Sequence, residues 1–252
     1  MQKIVDLANN TFRETIRDRV LNAALVFAVA MIGASVLLGT LSIGQDIKIM
    51  RDLGLAAIEV FGAAIAIFVG TSMLFREIDK RTVIVVLAKP VTRHEFLLGK
   101  FLGLSATLTC LLVAMAAAYA ALLLYSGGWD NALLWQVALV WMQLLVLVGL
   151  SLMFSAFTSP VLAMLFTFGL YLAGHNLDSF KVLGEKASPL VKALTEALYY
   201  GLPNFSHLDI KNQVVYGAPF SLPQFGVAVT YGAVYAALAL AVAMVVFSRR
   251  EL

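Results

Sequence analysis

Glu59 is the ionisable residue of this chain that falls well inside a long apolar stretch, Leu53 to Phe75. A carboxyl at membrane depth is costly unless it is solvated, paired or used, so an intramembrane acid marks a transport path by default. Glu59 lies two helical turns from Asp52, near one end of its stretch, and simple solvation at the boundary is the competing reading. Proton-driven carriers place a second acid or a charge partner at the same depth, and no such group is evident. His94, His175 and His207 are far apart and fall on different expected faces, as loop or helix-end residues. None has the His-x-x-x-His spacing that brings two imidazoles to one metal, and the lone Cys110 makes neither a disulfide nor a zinc site.

Phosphate chemistry is missing as well. A phosphate-cradling loop needs Gly-x-x-x-x-Gly-Lys followed by Ser or Thr. Gly99-Lys100 lacks both the upstream glycine and the hydroxyl. Ser126-Gly127-Gly128 falls in a turn between apolar stretches. The chain is therefore expected to hydrolyse no ATP by itself and to bind no cofactor or metal of its own.

The elements that must position these residues follow from composition. Hydrophobic residues make up 61% of the chain and charged residues 13%, with a mean hydropathy of +0.90. Ordinary soluble domains are about half apolar and about a quarter charged. So few charges exclude a soluble globule or a disordered chain. The net charge, 18 − 15 = +3, is too small and scattered for a nucleic-acid surface.

A spanning helix needs about 20 mostly apolar residues. Val20–Gln45, Leu53–Phe75, Phe101–Trp129 and the stretch from Pro223 to Phe247 each supply one. Asn131–Leu177 is free of charge for 47 residues. As one helix it would run about 70 Å at ~1.5 Å per residue, against a hydrocarbon core of about 30 Å. It must break, and Ser159-Pro160 is the break, because Ser caps helices and Pro suits the first turn. The expected fold is an all-α membrane protein with residues 1–19 as an N-terminal segment and six spans within 20–252. The spans fall near 20–45, 53–75, 96–125, 132–158, 160–177 and 223–247. The first is too long for the apolar core of a signal peptide and follows a charged segment, so no cleavage is expected.

Six crossings put both termini, the 76–100 loop and the Ser159 turn on one side. That side carries 12 Lys and Arg and the other carries 6: Lys48, Arg51, Lys181, Lys186, Lys192 and Lys211. The positive-inside rule makes the first side cytoplasmic, so both termini are expected inside.

Three segments lie outside the spans. Ile4, Ala8, Phe12 and Ile16 recur every four positions beside Leu7, which predicts an amphipathic helix over 2–19 lying on the inner membrane surface. Packing on the bundle is the alternative. In the 76–100 loop, Thr92 and Glu95 form a capping box, and Val91 with Phe96 the accompanying hydrophobic staple, so a helix starts at Thr92. The apolar run Val83–Leu87 needs cover, from the protein's own helices or from a cytoplasmic partner. In the long loop 178–222, Ser188-Pro189 opens a short helix that Gly201 closes, with Leu190, Val191, Leu194 and Leu198 on one face. Such a helix rests at the outer interface or folds back into the bundle. The mixed aromatic and polar run Pro203–Lys211 predicts an ordered segment.

The chain resembles the permease subunits of type-2 ABC exporters, in particular the short six-span permeases of nitrous-oxide-reductase maturation and gliding-associated transporters. The resemblance rests on the order of elements, on Glu77, Thr82, Leu87, Pro90-Val-Thr-Arg93 and Gly99-Lys100, and on Leu202-Pro-Asn-Phe205. Arg81 stands where the family usually has Gly. The resemblance implies that two permeases pair among membrane lipids, that each docks a separate ATP-binding subunit holding ATP and Mg, and that the loop between spans two and three is a coupling helix. It assigns coupling to Glu77, Asp79, Arg81, Thr82, Ile84, Leu87, Lys89, Pro90 and Arg93. A membrane-embedded enzyme, which would need acids and histidines converging at one depth, and a scaffold without transport are the alternatives.

Overall fold

The structure is a computed structural model that describes residues 2–40, 45–79, 92–185, 188–218 and 220–249. All regular elements among them are helical: α1 (Gln2–Ile16), α2 (Arg19–Thr40), α3 (Asp46–Asp79), α4 (Arg93–Tyr125), α5 (Ala132–Ser155), α6 (Pro160–Glu185), α7 (Pro189–Gly201), a 3-10 turn (Phe205–Leu208), α8 (Lys211–Tyr216) and α9 (Leu222–Ser248). Six of these, α2 to α6 and α9, are long and apolar enough to cross a membrane. The expected all-α, six-span architecture is present.

The spans pack around α3 and α5, the two most buried. A helix apolar on every side belongs in the middle of a bundle, and α5 is of this kind. Small residues bring its neighbours close, as is usual where lipid supplies no hydrophobic drive between helices. A Cβ added at Gly149 of α5 would lie 3.0 Å from the Ala239 Cβ of α9. The outer surfaces of α2, α6 and α9 carry exposed Phe27, Leu37, Val161, Leu165, Val234 and Leu238, as a lipid-facing surface requires.

The helix ends follow from local chemistry. Thr92 and Glu95 close the capping box that starts α4, with the Thr92 amide 2.7 Å from Glu95 Oε2 and the Glu95 amide 3.2 Å from Thr92 Oγ1. Val91, the other half of the expected staple, lies outside the described residues. Pro160 opens α6. Helix α6 continues to Glu185, beyond the apolar window that ends at Leu177, because its polar last turns pack against α7. There the Lys181 ammonium sits 4.2 Å from the Tyr199 ring centroid. Helix α3 likewise begins at Asp46, with Arg51 Nε donating to Gly128 O at 2.9 Å.

Helix α1 takes the packed alternative. Its face with Leu7, Ala8 and Thr11 rests on α4 at Gly99 and Gly103, where an added Cβ would come within 2.6 Å of Leu7 Cβ and of Ala8 O. Thr11 and Thr15 are buried, while Val5 faces away. Helix α7 packs against α6, yet Leu190, Val191, Leu194 and Leu198 remain exposed on its surface.

The bundle has two distinct ends. At one, the Arg93 guanidinium at the start of α4 donates to Ser248 O at 2.8 Å, joining α4 to the last turn of α9. At the other, the distal end, Tyr119 donates to Arg51 O at 2.9 Å, and Lys211 pairs with Asp52 at 3.6 Å.

Candidate functional site

Glu59 does not face solvent. It is 5% exposed, enclosed where α3 meets α5 and α6, which corrects the reading of an acid solvated at the membrane boundary. Its partner is His175 of α6, whose Nε2 lies 2.7 Å from Glu59 Oε1. The opposite ring nitrogen, Nδ1, lies 3.0 Å from Tyr171 O. A carbonyl only accepts, so Nδ1 carries a hydrogen. The 2.7 Å contact then requires one further proton between Nε2 and Oε1. Whichever atom holds it, imidazolium with carboxylate or imidazole with carboxylic acid, the pair has no net charge. That neutrality lets two ionisable groups sit inside a membrane bundle without the cost of an isolated charge.

The imidazole is held on its faces too. The Tyr171 ring meets it edge-on at 4.7 Å between centroids, and Phe205 of the 3-10 turn lies 5.4 Å away. Phe205 can come so near α6 because residue 174 is glycine: an added Cβ there would lie 2.5 Å from both Pro203 O and the Phe205 ring. Gln143 of α5 completes the enclosure. It is wholly buried beside Glu59, and among the described residues neither of its amide atoms meets hydrogen-bond geometry with a partner.

The segment 202–211 lies over this pair and is tied to four spans. Asn204 Nδ2 donates to Asp178 of α6 at 3.0 Å, and the Asn204 amide donates to the Tyr231 hydroxyl of α9 at 2.7 Å. Gln136 of α5 accepts from the Ile210 amide at 2.8 Å and donates to Asp209 at 3.3 Å. Lys211 reaches Asp52 of α3. Burial holds the Asp209 carboxyl above its ordinary range, opposed by the hydrogen bond from the Lys211 amide. The ordered segment expected from Pro203–Lys211 is present.

Among the expected coupling residues, Arg93 is placed, bonded to the end of α9. Arg81, Thr82, Ile84, Leu87, Lys89 and Pro90 lie outside the described residues, as do the Val83–Leu87 run and the expected coupling helix. Glu77 and Asp79 belong to the last turns of α3, where only the helix itself is described. Sequence reasoning missed His175, which it placed with the loop and helix-end histidines on an unrelated face. The signal was there: an acid inside one span calls for a partner inside another, and His175 is the histidine that falls within an expected span.

Among the described residues, six helices long and apolar enough to cross a bilayer define an integral membrane protein. The chain belongs to the ABC-2 transporter family, since the family model described as ABC-2 family transporter protein matches residues 5–252. It is thus a membrane permease of an ABC transporter, the transport subunit rather than the ATPase, and its family works with an ABC ATPase subunit. Among curated proteins, none matches the chain.

Proposed function

We propose that the chain forms the substrate path of an exporter as a homodimer in a bacterial inner membrane, with both termini cytoplasmic. Each copy docks an ATP-binding subunit, which holds the ATP and Mg, through residues 77–93. Closure of the ATPases pushes on this loop, and the push is passed into the spans.

The observation that carries this reading is the anchoring of the loop's far end. The Thr92–Glu95 capping box starts α4 directly after the loop, and Arg93 ties that start to the last carbonyls of α9. A force on the loop therefore moves α4 and α9 together. Within the bundle, Glu59 and His175 join α3 to α6, and Glu59 meets the path when these two helices part. The direct test is ATP hydrolysis: the purified permease alone should neither hydrolyse ATP nor bind it saturably, while the complex with its ATPase should do both. Saturable ATP binding by the isolated chain would overturn the division of labour.

A further inference from the structure

At the distal end, between the 3-10 turn, α8 and the first three turns of α9, lies an open cavity of about 530 Å³. That volume lies within the usual range for small-molecule sites, about 300–1,000 Å³. The cavity has two unlike sides. Toward the 206–213 segment it is lined by His207, Asp209 and Gln213; toward the span it is lined by Val227, Ala228 and Tyr231. The polar segment lies alongside the same stretch of α9, with His207 against Tyr231 and Leu208 beside Gly232, so a polar wall and an apolar wall face one cavity. Val227 is 71% exposed, leaving the cavity open beside the lipid-facing surface.

The polar side is firmly built. Asp209 is fixed by Gln136 and by the Lys211 amide, while the Lys211 ammonium pairs with Asp52. His207 meets the Tyr231 ring edge-on at 5.3 Å, and the Tyr231 hydroxyl is held by the Asn204 amide. Asp209 supplies the carboxyl of the lining, and Tyr231 and Phe220 supply aromatic surface. A carboxylate beside aromatic rings suits a cationic head, and the apolar wall along α9 suits a tail. We infer that this cavity binds an amphipathic cation, with its amine at Asp209 and its apolar chain along Val227 and Tyr231. The site lies within one chain and stands apart from whether the transporter exports.

Trp135 reports on it. Its ring packs 4.6 Å from Phe225, which packs 6.4 Å from Phe220 on the cavity wall. The full chain, with Trp129→Phe and Trp141→Phe, is placed in phosphatidylcholine nanodiscs and titrated with 12-bromododecylammonium or 12-bromododecanoate, whose bromine quenches tryptophan. The expected result is a saturable quenching component for the cation that the anion lacks, above a linear background from partition into lipid. Asp209→Asn keeps an acceptor for Gln136 and Lys211, and should weaken the saturable component about tenfold with the background unchanged. Val227→Phe fills the cavity from an exposed position and should abolish the component even if Asp209→Asn fails to fold. Adding phosphatidylethanolamine separates two sources of the same chemistry: competition identifies a lipid amine as occupant, and no competition a free amphipathic amine. Equal saturable quenching by cation and anion, or a saturable component that survives Val227→Phe, would overturn the inference.

Discussion

His175 of α6 and Glu59 of α3 share one proton across 2.7 Å, 116 residues apart in sequence. The pair ties a well-buried span to one of the least buried. Removing one partner leaves the other buried without its proton donor or acceptor. Glu59→Ala and His175→Ala should each lower thermal stability in nanodiscs, and the double variant should lose less than the sum. Polar pairs inside membrane bundles couple by about 0.6–2 kcal/mol, and Glu59→Gln, which keeps a polar partner for the ring, should be milder than Glu59→Ala. Strictly additive losses would show that the two side chains do not interact.

The approach of segment 202–205 to α6 depends on the missing side chain at Gly174. Pro203 O is backbone and cannot yield as a flexible side chain would. Gly174→Ala should therefore displace Phe205 from His175, lower the melting temperature by several degrees, and speed proteolysis within residues 186–220. Gly169, with nothing within 4 Å of an added Cβ, is the control, and Gly169→Ala should be silent. Equal behaviour of the two variants would contradict the close approach.

The pH dependence of the distal cavity follows from Asp209. Burial raises its carboxyl above the usual range and Glu59 adds to this, while the Lys211 amide and ammonium and His175 act the other way. Gln136 donates to it, and His207 lines the same cavity. A cationic head needs the carboxylate, so binding of 12-bromododecylammonium should strengthen as pH rises through that raised pKa and weaken below it. Asp209→Asn should flatten the profile. An unchanged profile in the variant would place the titration on another group.

Much of the fold was legible because membrane spans are read from length and apolarity. The break at Ser159-Pro160 was legible because no single helix fits 47 residues across a bilayer. The Thr92–Glu95 cap was legible because it is local chemistry. Extension of α6 to Glu185 was not, since its polar last turns are stabilised by α7 rather than by lipid. Packing of α1 on α4 was hidden too, because Gly99 and Gly103 signal a close approach without naming the helix that makes it. The Glu59–His175 pair was half legible: the acid stood out, but its partner is fixed only by how α3 and α6 pack.

Topology is tested by labelling. In a Cys110→Ser background, a cysteine at residue 2 or 252 should resist a membrane-impermeant thiol reagent in intact cells, and one at residue 186 should react. The 12-to-6 asymmetry of Lys and Arg sets this expectation. Labelling at either terminus would contradict it.

The central claim, a permease driven by a separate ATPase through residues 77–93, is tested most directly by co-purification. Losing a desolvated apolar anchor costs about 2 kcal/mol or more, and each 1.4 kcal/mol is about tenfold in affinity. Ile84→Asp or Leu87→Asp should weaken capture of the ATP-binding subunit more than about tenfold while the permease stays inserted and dimeric. Glu77→Ala and Arg81→Ala should affect binding less and transport-coupled ATP hydrolysis more. Wild-type capture by both Ile84→Asp and Leu87→Asp would place the apolar run inside the permease and the docking site elsewhere.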